Sequence, residues 1–116
     1  MTHDGDAGVP GSLARVLAEV AAERAAQDRR FGMQVLPDGT GGDAAAFESD
    51  LTRRLTGKAA EAGALTWRHI LEEEVMEAFA ESDPRRLREE LVQVAAVAVK
   101  WAQALDRRPT ESSTEA

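Results

Sequence analysis

The fold is decided by residues 67–106, which read WRHILEEEVMEAFAESDPRRLREELVQVAAVAVKWAQALD. On both sides of Pro84, apolar residues recur every three or four positions, which is the spacing of amphipathic helices. Thr66 is typical of a helix N-cap and Pro84 of a first helical position. We therefore predict one helix over about 67–81 and another over about 84–106. So short a connection between them requires the two helices to pack as an antiparallel hairpin.

The preceding residues also have helical periodicity. Ser12 can cap a first helix over about 13–31, which must end by Gly32. A second helix is expected to begin with Asp43 as its cap and to end at Gly63. Its apolar stripe consists of Phe47, Leu51 and Leu55. With 22 alanines and no alternating β-branched run, the sequence predicts an all-α protein, an antiparallel bundle of about four helices.

The length of 116 residues fits one compact domain. Residues 1–11 are rich in glycine and aspartate and are predicted to be disordered, as is the tail at 107–116. The helical domain then covers 12–106. Within it, residues 33–42 (MQVLPDGTGG) combine a Pro-Asp-Gly turn with further glycines, which indicates a loop without regular structure.

Composition excludes several classes of function. Fourteen basic residues against 21 acidic ones give a net charge of -7, which argues against nucleic acid or an anionic membrane as a partner. The absence of cysteine excludes disulfides, thiolate nucleophiles and zinc ribbons. No apolar run approaches the roughly 20 residues of a membrane span, and the N-terminal residues do not resemble a signal peptide. We expect a cytoplasmic protein.

The negative charge is concentrated in residues 67–83, where one arginine stands against six acidic residues. On a helical wheel Glu74 falls within the predicted core face of the third helix, which extends to Phe79. Glu90 falls between Val97 and Trp101 on the apolar face of the fourth helix, whose predicted core stripe includes Leu91. A carboxylate on a core face is costly unless it is compensated. Either these glutamates form a solvated acidic face, or a divalent cation binds between the two helices.

The spacing of the acidic residues favours the cation. Glu74 and Glu77 are one turn apart on one helix, and Glu90 and Gln93 have the same spacing on its antiparallel neighbour. Four oxygen-bearing side chains can then converge, and ligands of this kind suit Mg²⁺ or Mn²⁺ better than zinc. A di-iron site of the ferritin type would need Glu-x-x-His pairs, which the chain lacks.

Two segments of this hairpin resemble a known family. LEEEVMEA (71–78) followed by REELVQVAAV (88–97) is similar to the E-x-x-E and E-x-x-D motifs of the MazG-like all-α nucleoside triphosphate pyrophosphohydrolases, and RFGMQVLPDGTGG (30–42) adds to the likeness. The resemblance implies a helical bundle completed by oligomerisation, as a homodimer or homotetramer. It also implies Mg²⁺-dependent conversion of a nucleoside or deoxynucleoside triphosphate to monophosphate and pyrophosphate, a house-cleaning activity.

The resemblance also implies roles for individual residues. Glu74, Glu77 and Glu90 would bind the metal, and Glu73 would be the general base that activates water. Gln93 stands where the family has aspartate, and its amide can ligate Mg²⁺ but brings no charge. Two alternatives therefore stay open: a non-catalytic module that binds metal or nucleotide, and a structural bundle with an acidic face.

Substrate contacts are expected from a few further side chains. Lys100 and Arg68 could bind phosphate, although each could equally be an ordinary surface cation. Trp67 could stack on a base or belong to the core. If the 33–42 loop folds over the site, Asp38 and Thr40 are its candidates. His69, by contrast, is predicted to be a surface residue.

Overall fold

In the computed structural model, residues 8–109 are described, and they form four helices and no strand. The all-α prediction is confirmed. The helices are α1 (Leu13–Phe31), α2 (Asp43–Glu61), α3 (Trp67–Ala80) and α4 (Pro84–Asp106). None of these four is long and apolar enough to cross a membrane. The predicted disorder of residues 1–7 and 110–116 lies outside the described residues.

The chain divides into two compact units. One unit comprises Leu36–Ala98 and contains α2, α3 and the first part of α4. The other comprises the described residues up to Val35 together with those from Val99 onward, so it contains α1 and the end of α4.

Local signals define α1 and the turn before it. The Ser12 side chain accepts a hydrogen bond from the Arg15 amide at 3.1 Å, and α1 ends at Gly32, whose φ of 69° suits a residue without a side chain. The Gln103 side chain donates to the Gly11 carbonyl at 3.0 Å. This hydrogen bond ties the turn before α1 to the last part of α4 within the same unit.

Large apolar side chains are incompletely buried throughout the described residues. The buried apolar residues are Val16, Ala78, Leu87 and Val99, and no large side chain is fully buried. The predicted core positions Phe79 and Leu91 are both about half exposed, at 51% and 50%. The prediction that Phe79 and Leu91 are core residues is therefore wrong, because each leaves about half of its surface exposed.

The contact face of α2 differs from the expectation. α2 packs against α3, and its buried residues are Ser49 and Thr56. The Thr56 hydroxyl donates to the His69 carbonyl of α3 at 3.4 Å. The apolar stripe is instead exposed, at 62% for Phe47, 40% for Leu51 and 54% for Leu55.

The loop before α2 is fixed to the end of α3. The Thr40 hydroxyl donates to the Glu81 carbonyl at 2.6 Å, and the Gly41 amide donates to the Phe79 carbonyl at 2.8 Å. Gly41 has a φ of +93°, and an added Cβ would lie 3.0 Å from the Ser82 Cβ. Both the backbone conformation and the close approach therefore require glycine at this position.

Candidate metal centre

The start of α3 is fixed by a capping box. The Thr66 hydroxyl accepts a hydrogen bond from the His69 amide at 3.2 Å, and the His69 ring accepts from the Thr66 amide at 3.1 Å. The His69 ring turns back along its own helix to close the cap, and the residue is half-buried. The prediction of a surface residue did not include this capping role. The reciprocal bonds fix where α3 begins.

Three residues connect α3 to α4, and they are themselves hydrogen bonded. The Asp83 carboxylate accepts from the Arg86 amide at 3.1 Å, which caps α4 next to Pro84. The Glu81 carboxylate accepts from the Asp83 amide at 3.2 Å. Such a tight connection turns the chain back on itself, so Glu90 of α4 returns to the level of Glu74 on α3.

This reversal brings three carboxylates together. Glu74 and Glu77 of α3 and Glu90 of α4 each offer one oxygen, and these oxygens all lie within 4.8 Å of one another. All three side chains are half-buried. We call this set the acidic cluster. Glu77 is one turn after Glu74, and Glu90 is about as far from the α3–α4 connection as Glu74 is, which explains why they meet.

Burial and mutual repulsion perturb the acidic cluster. The pKa of Glu74 is raised, mainly because burial disfavours its charged form and then because Glu77, Glu90 and Glu73 are nearby. The pKa of Glu90 is raised by burial first and then by the charges of Glu77, Glu81 and Glu89. The folded chain thus holds carboxylates where their charge is unfavourable, a situation that a bound cation would reverse.

One arginine from another helix partly compensates the cluster. Arg53 of α2 lies 3.4 Å from Glu77, and the same guanidinium lies 3.2 Å from Asp50. The Arg53 side chain is 55% exposed and that of Glu77 is 30% exposed. Sequence reasoning missed Arg53, because this contact depends on how α2 and α3 pack and no short-range pattern indicates it.

The remaining predicted residues of the centre lie on the same hairpin. Glu73 is half-buried and close enough to Glu74 for its charge to contribute to the raised pKa. Gln93 follows Glu90 by one helical turn and is exposed. The roles of Glu73 as base and of Gln93 as fourth ligand stay predictions.

The predicted substrate contacts are more dispersed. Asp38 and Arg68 are exposed, and Trp67 is half-buried at the first position of α3. The Thr40 hydroxyl donates a hydrogen bond to the Glu81 carbonyl at the end of α3. Lys100 is exposed and belongs to the unit that contains α1, whereas the acidic cluster belongs to the other unit. None of these placements tests a contact with substrate.

Comparisons with protein-family models, with curated proteins and with solved structures found no match for this chain. The functional argument therefore depends on the residues and their geometry.

Proposed function

We propose that this protein is a Mg²⁺-dependent nucleoside triphosphate pyrophosphohydrolase that converts NTP or dNTP and water to monophosphate and pyrophosphate. The observation that carries the proposal is the convergence of Glu74, Glu77 and Glu90, with one oxygen from each within 4.8 Å of the others. These are three of the four positions at which the MazG-like resemblance implies metal ligands. The proposal includes membership of that family and oligomerisation.

The donor set fits a hard divalent cation. Carboxylate oxygens are the preferred ligands of Mg²⁺ and Mn²⁺, and the acidic cluster contains neither sulfur nor imidazole. Ligand distances of about 2.0–2.1 Å allow two oxygens on one Mg²⁺ to be at most about 4.2 Å apart. The oxygens of Glu74, Glu77 and Glu90 lie within 4.8 Å of one another, so their side chains would rotate to share one ion. A cation would also remove the repulsion that raises the pKa of Glu74 and Glu90.

The chain's own residues divide the chemistry between them. Glu74, Glu77 and Glu90 hold the metal, which when bound neutralises phosphate charge and polarises the reacting groups. Glu73 accepts a proton from the attacking water. The water oxygen bonds to the phosphorus atom at which the α–β anhydride bond breaks. Pyrophosphate leaves with the electron pair of that bond.

A second candidate is a module that binds metal or nucleotide without catalysis. Gln93 favours it, because a neutral amide occupies the position where the resemblance implies aspartate. One negative charge fewer weakens binding of a divalent cation. The nucleotide's own phosphates supply negative charge to the same ion, which is why we prefer the enzyme.

The test is pyrophosphate release from the common nucleoside and deoxynucleoside triphosphates with Mg²⁺ and with Mn²⁺. We expect turnover by the wild-type protein and a loss of about 100-fold or more in Glu74→Gln, because a metal ligand is removed. Glu89→Gln is the matched control: it makes the same change on an exposed residue of α4 outside the acidic cluster. It should retain activity within a few-fold.

Two results would contradict the enzyme. Wild-type protein that releases no pyrophosphate from any of these nucleotides, even at high Mn²⁺, would favour the binding module, provided that Mn²⁺ still raises the melting temperature. If Mn²⁺ changes neither the melting temperature nor the heat of titration, the acidic cluster does not bind a cation, and both the enzyme and the metal-binding module fail.

A further inference from the structure

We propose that α2 is the interface between two copies of this chain, paired antiparallel about a two-fold axis at Leu51. The proposal concerns a surface on the opposite side of α2 from its contact with α3. It rests on the proposed function only for the oligomerisation included there, and it uses neither the acidic cluster nor a nucleotide. The proposal specifies the face of α2 that contacts α2 of the second copy and the register in which the two helices pair.

The first observation is an apolar stripe on α2 that the described part of the chain leaves largely exposed. Phe47, Leu51 and Leu55 recur every four residues on one face of α2 and are 62%, 40% and 54% exposed. The face that packs on α3 is built from small residues, Ser49 and Thr56 among them. A helix normally buries its larger apolar residues, so the exposed stripe of α2 has the character of a contact surface.

The second observation is the distribution of charge along α2. The first eight residues, Asp43–Asp50, contain three acidic residues and no basic one. The next eight, Leu51–Lys58, contain three basic residues and no acidic one. A parallel pairing of two such helices would place like charges together, whereas an antiparallel pairing places the acidic half of each against the basic half of the other.

Together the two observations fix the register. A two-fold axis at Leu51 places this residue against itself and Phe47 against Leu55 of the second copy. On the flank of the stripe, Arg54 then approaches Asp50 of the second copy, and Lys58 approaches Asp43 of the second copy. All four charged side chains are exposed in the single chain. The surface is thus complementary to itself in shape and charge, which identifies a second copy as the occupant.

The test uses the absence of cysteine from the chain, since one introduced thiol can then report one contact. Leu51→Cys places two thiols at the axis, and mild oxidation should link two chains rapidly. Ala46→Cys is the matched control, because this exposed residue lies on the far side of the same helix. We expect disulfide-linked dimer from Leu51→Cys in at least several-fold greater yield. Equal yields from the two variants would overturn the proposal.

The mass in solution provides a second readout. Light scattering of the wild-type protein should give a dimer or a tetramer, and Leu51→Glu should halve that mass while circular dichroism stays unchanged. Leu51 is 40% exposed in the single chain, so a glutamate there can reach water, and the unchanged circular dichroism spectrum checks that the fold is kept. A monomeric wild-type protein at tens of micromolar would overturn the proposal, as would an assembly whose mass Leu51→Glu leaves unchanged. Neither readout involves metal or nucleotide, so failure here would remove the oligomerisation but leave the pyrophosphate-release and metal-binding tests of the acidic cluster to be decided separately.

Discussion

Arg53 of α2 donates from Nη2 to Oε2 of Glu77 on α3 across 3.4 Å. Between residues 67 and 83, Arg68 is the one arginine or lysine beside six acidic residues. The Arg53 guanidinium brings a second positive charge to this region from another helix. Through this ion pair α2 meets the acidic cluster, and Arg53 occupies one side of a carboxylate that the proposed metal would also use. Arg53 and the proposed divalent cation would thus compete for Glu77.

The first prediction follows from this competition. Arg53→Ala should tighten Mn²⁺ binding by about two- to five-fold, because a partly exposed ion pair of about 0.2–1 kcal/mol no longer has to be weakened. Isothermal titration with Mn²⁺ measures the change. Arg24→Ala is the control: Arg24 forms an ion pair of the same kind with Asp28 at 3.1 Å on α1. Weaker Mn²⁺ binding by Arg53→Ala would show that Arg53 supports the site instead.

The helices could be predicted because their ends carry local signals. Ser12, Gly32 and Thr66 cap or end helices through hydrogen bonds and backbone angles that involve residues close in sequence. The convergence of Glu74 with Glu90 was also accessible, since it needs only the helical repeat and a short connection. Local rules of this kind determine where a residue lies along its own helix and on which side of that helix.

The contacts of α2 could not be predicted in the same way. Hydrophobicity ranks Phe47 and Leu55 above Ser49 and Thr56, yet the small polar pair is buried. Small side chains let two helices approach closely, and the Thr56 hydroxyl finds a carbonyl acceptor on α3. Which face of α2 is buried, and therefore where Arg53 lies, depends on how α2 packs against α3 and not on the sequence of α2 alone.

The second prediction concerns the neutral side chain in the proposed ligand set. Gln93→Asp should tighten Mg²⁺ binding by about ten-fold, because an anionic oxygen replaces an amide one turn after Glu90. Calorimetric titration with Mg²⁺ is the measurement. Gln27→Asp is the control, because it makes the same change on the exposed surface of α1, where the Gln27 side chain bonds to Glu23 and Arg24 and not to the acidic cluster. Unchanged Mg²⁺ affinity in Gln93→Asp would remove Gln93 from the ligand set.

The third prediction separates two roles for Thr40. Its hydroxyl donates to the Glu81 carbonyl at 2.6 Å, so Thr40→Val should destabilise the protein by about 1 kcal/mol. Thr40→Ser keeps the hydroxyl and should stay close to wild type. Urea unfolding measures the change, and KM for the nucleotide should be the same in both variants. A raised KM in Thr40→Val without a change in stability would instead make Thr40 a substrate contact.

The fourth prediction is a pH dependence of the metal-free protein. Burial and neighbouring carboxylates raise the pKa of Glu74 above its ordinary value of 4.5. The folded chain therefore binds this proton more tightly than the unfolded chain does, and the resulting stabilisation is complete below pH 4.5 and is lost as pH rises through the folded pKa. Glu74→Gln removes the ionisation.

With a chelator present, Glu74→Gln should thus melt at a higher temperature than wild type at pH 7, and this advantage should disappear at about pH 4. Added Mg²⁺ should narrow the difference at pH 7, because it stabilises only the protein that retains the carboxylate. Glu89→Gln, which alters an exposed carboxylate outside the acidic cluster, should show a much smaller effect. If Glu74→Gln melts below the wild type at pH 7 without metal, the Glu74 carboxylate stabilises the folded chain by itself, and the physical reason for expecting a cation there is lost.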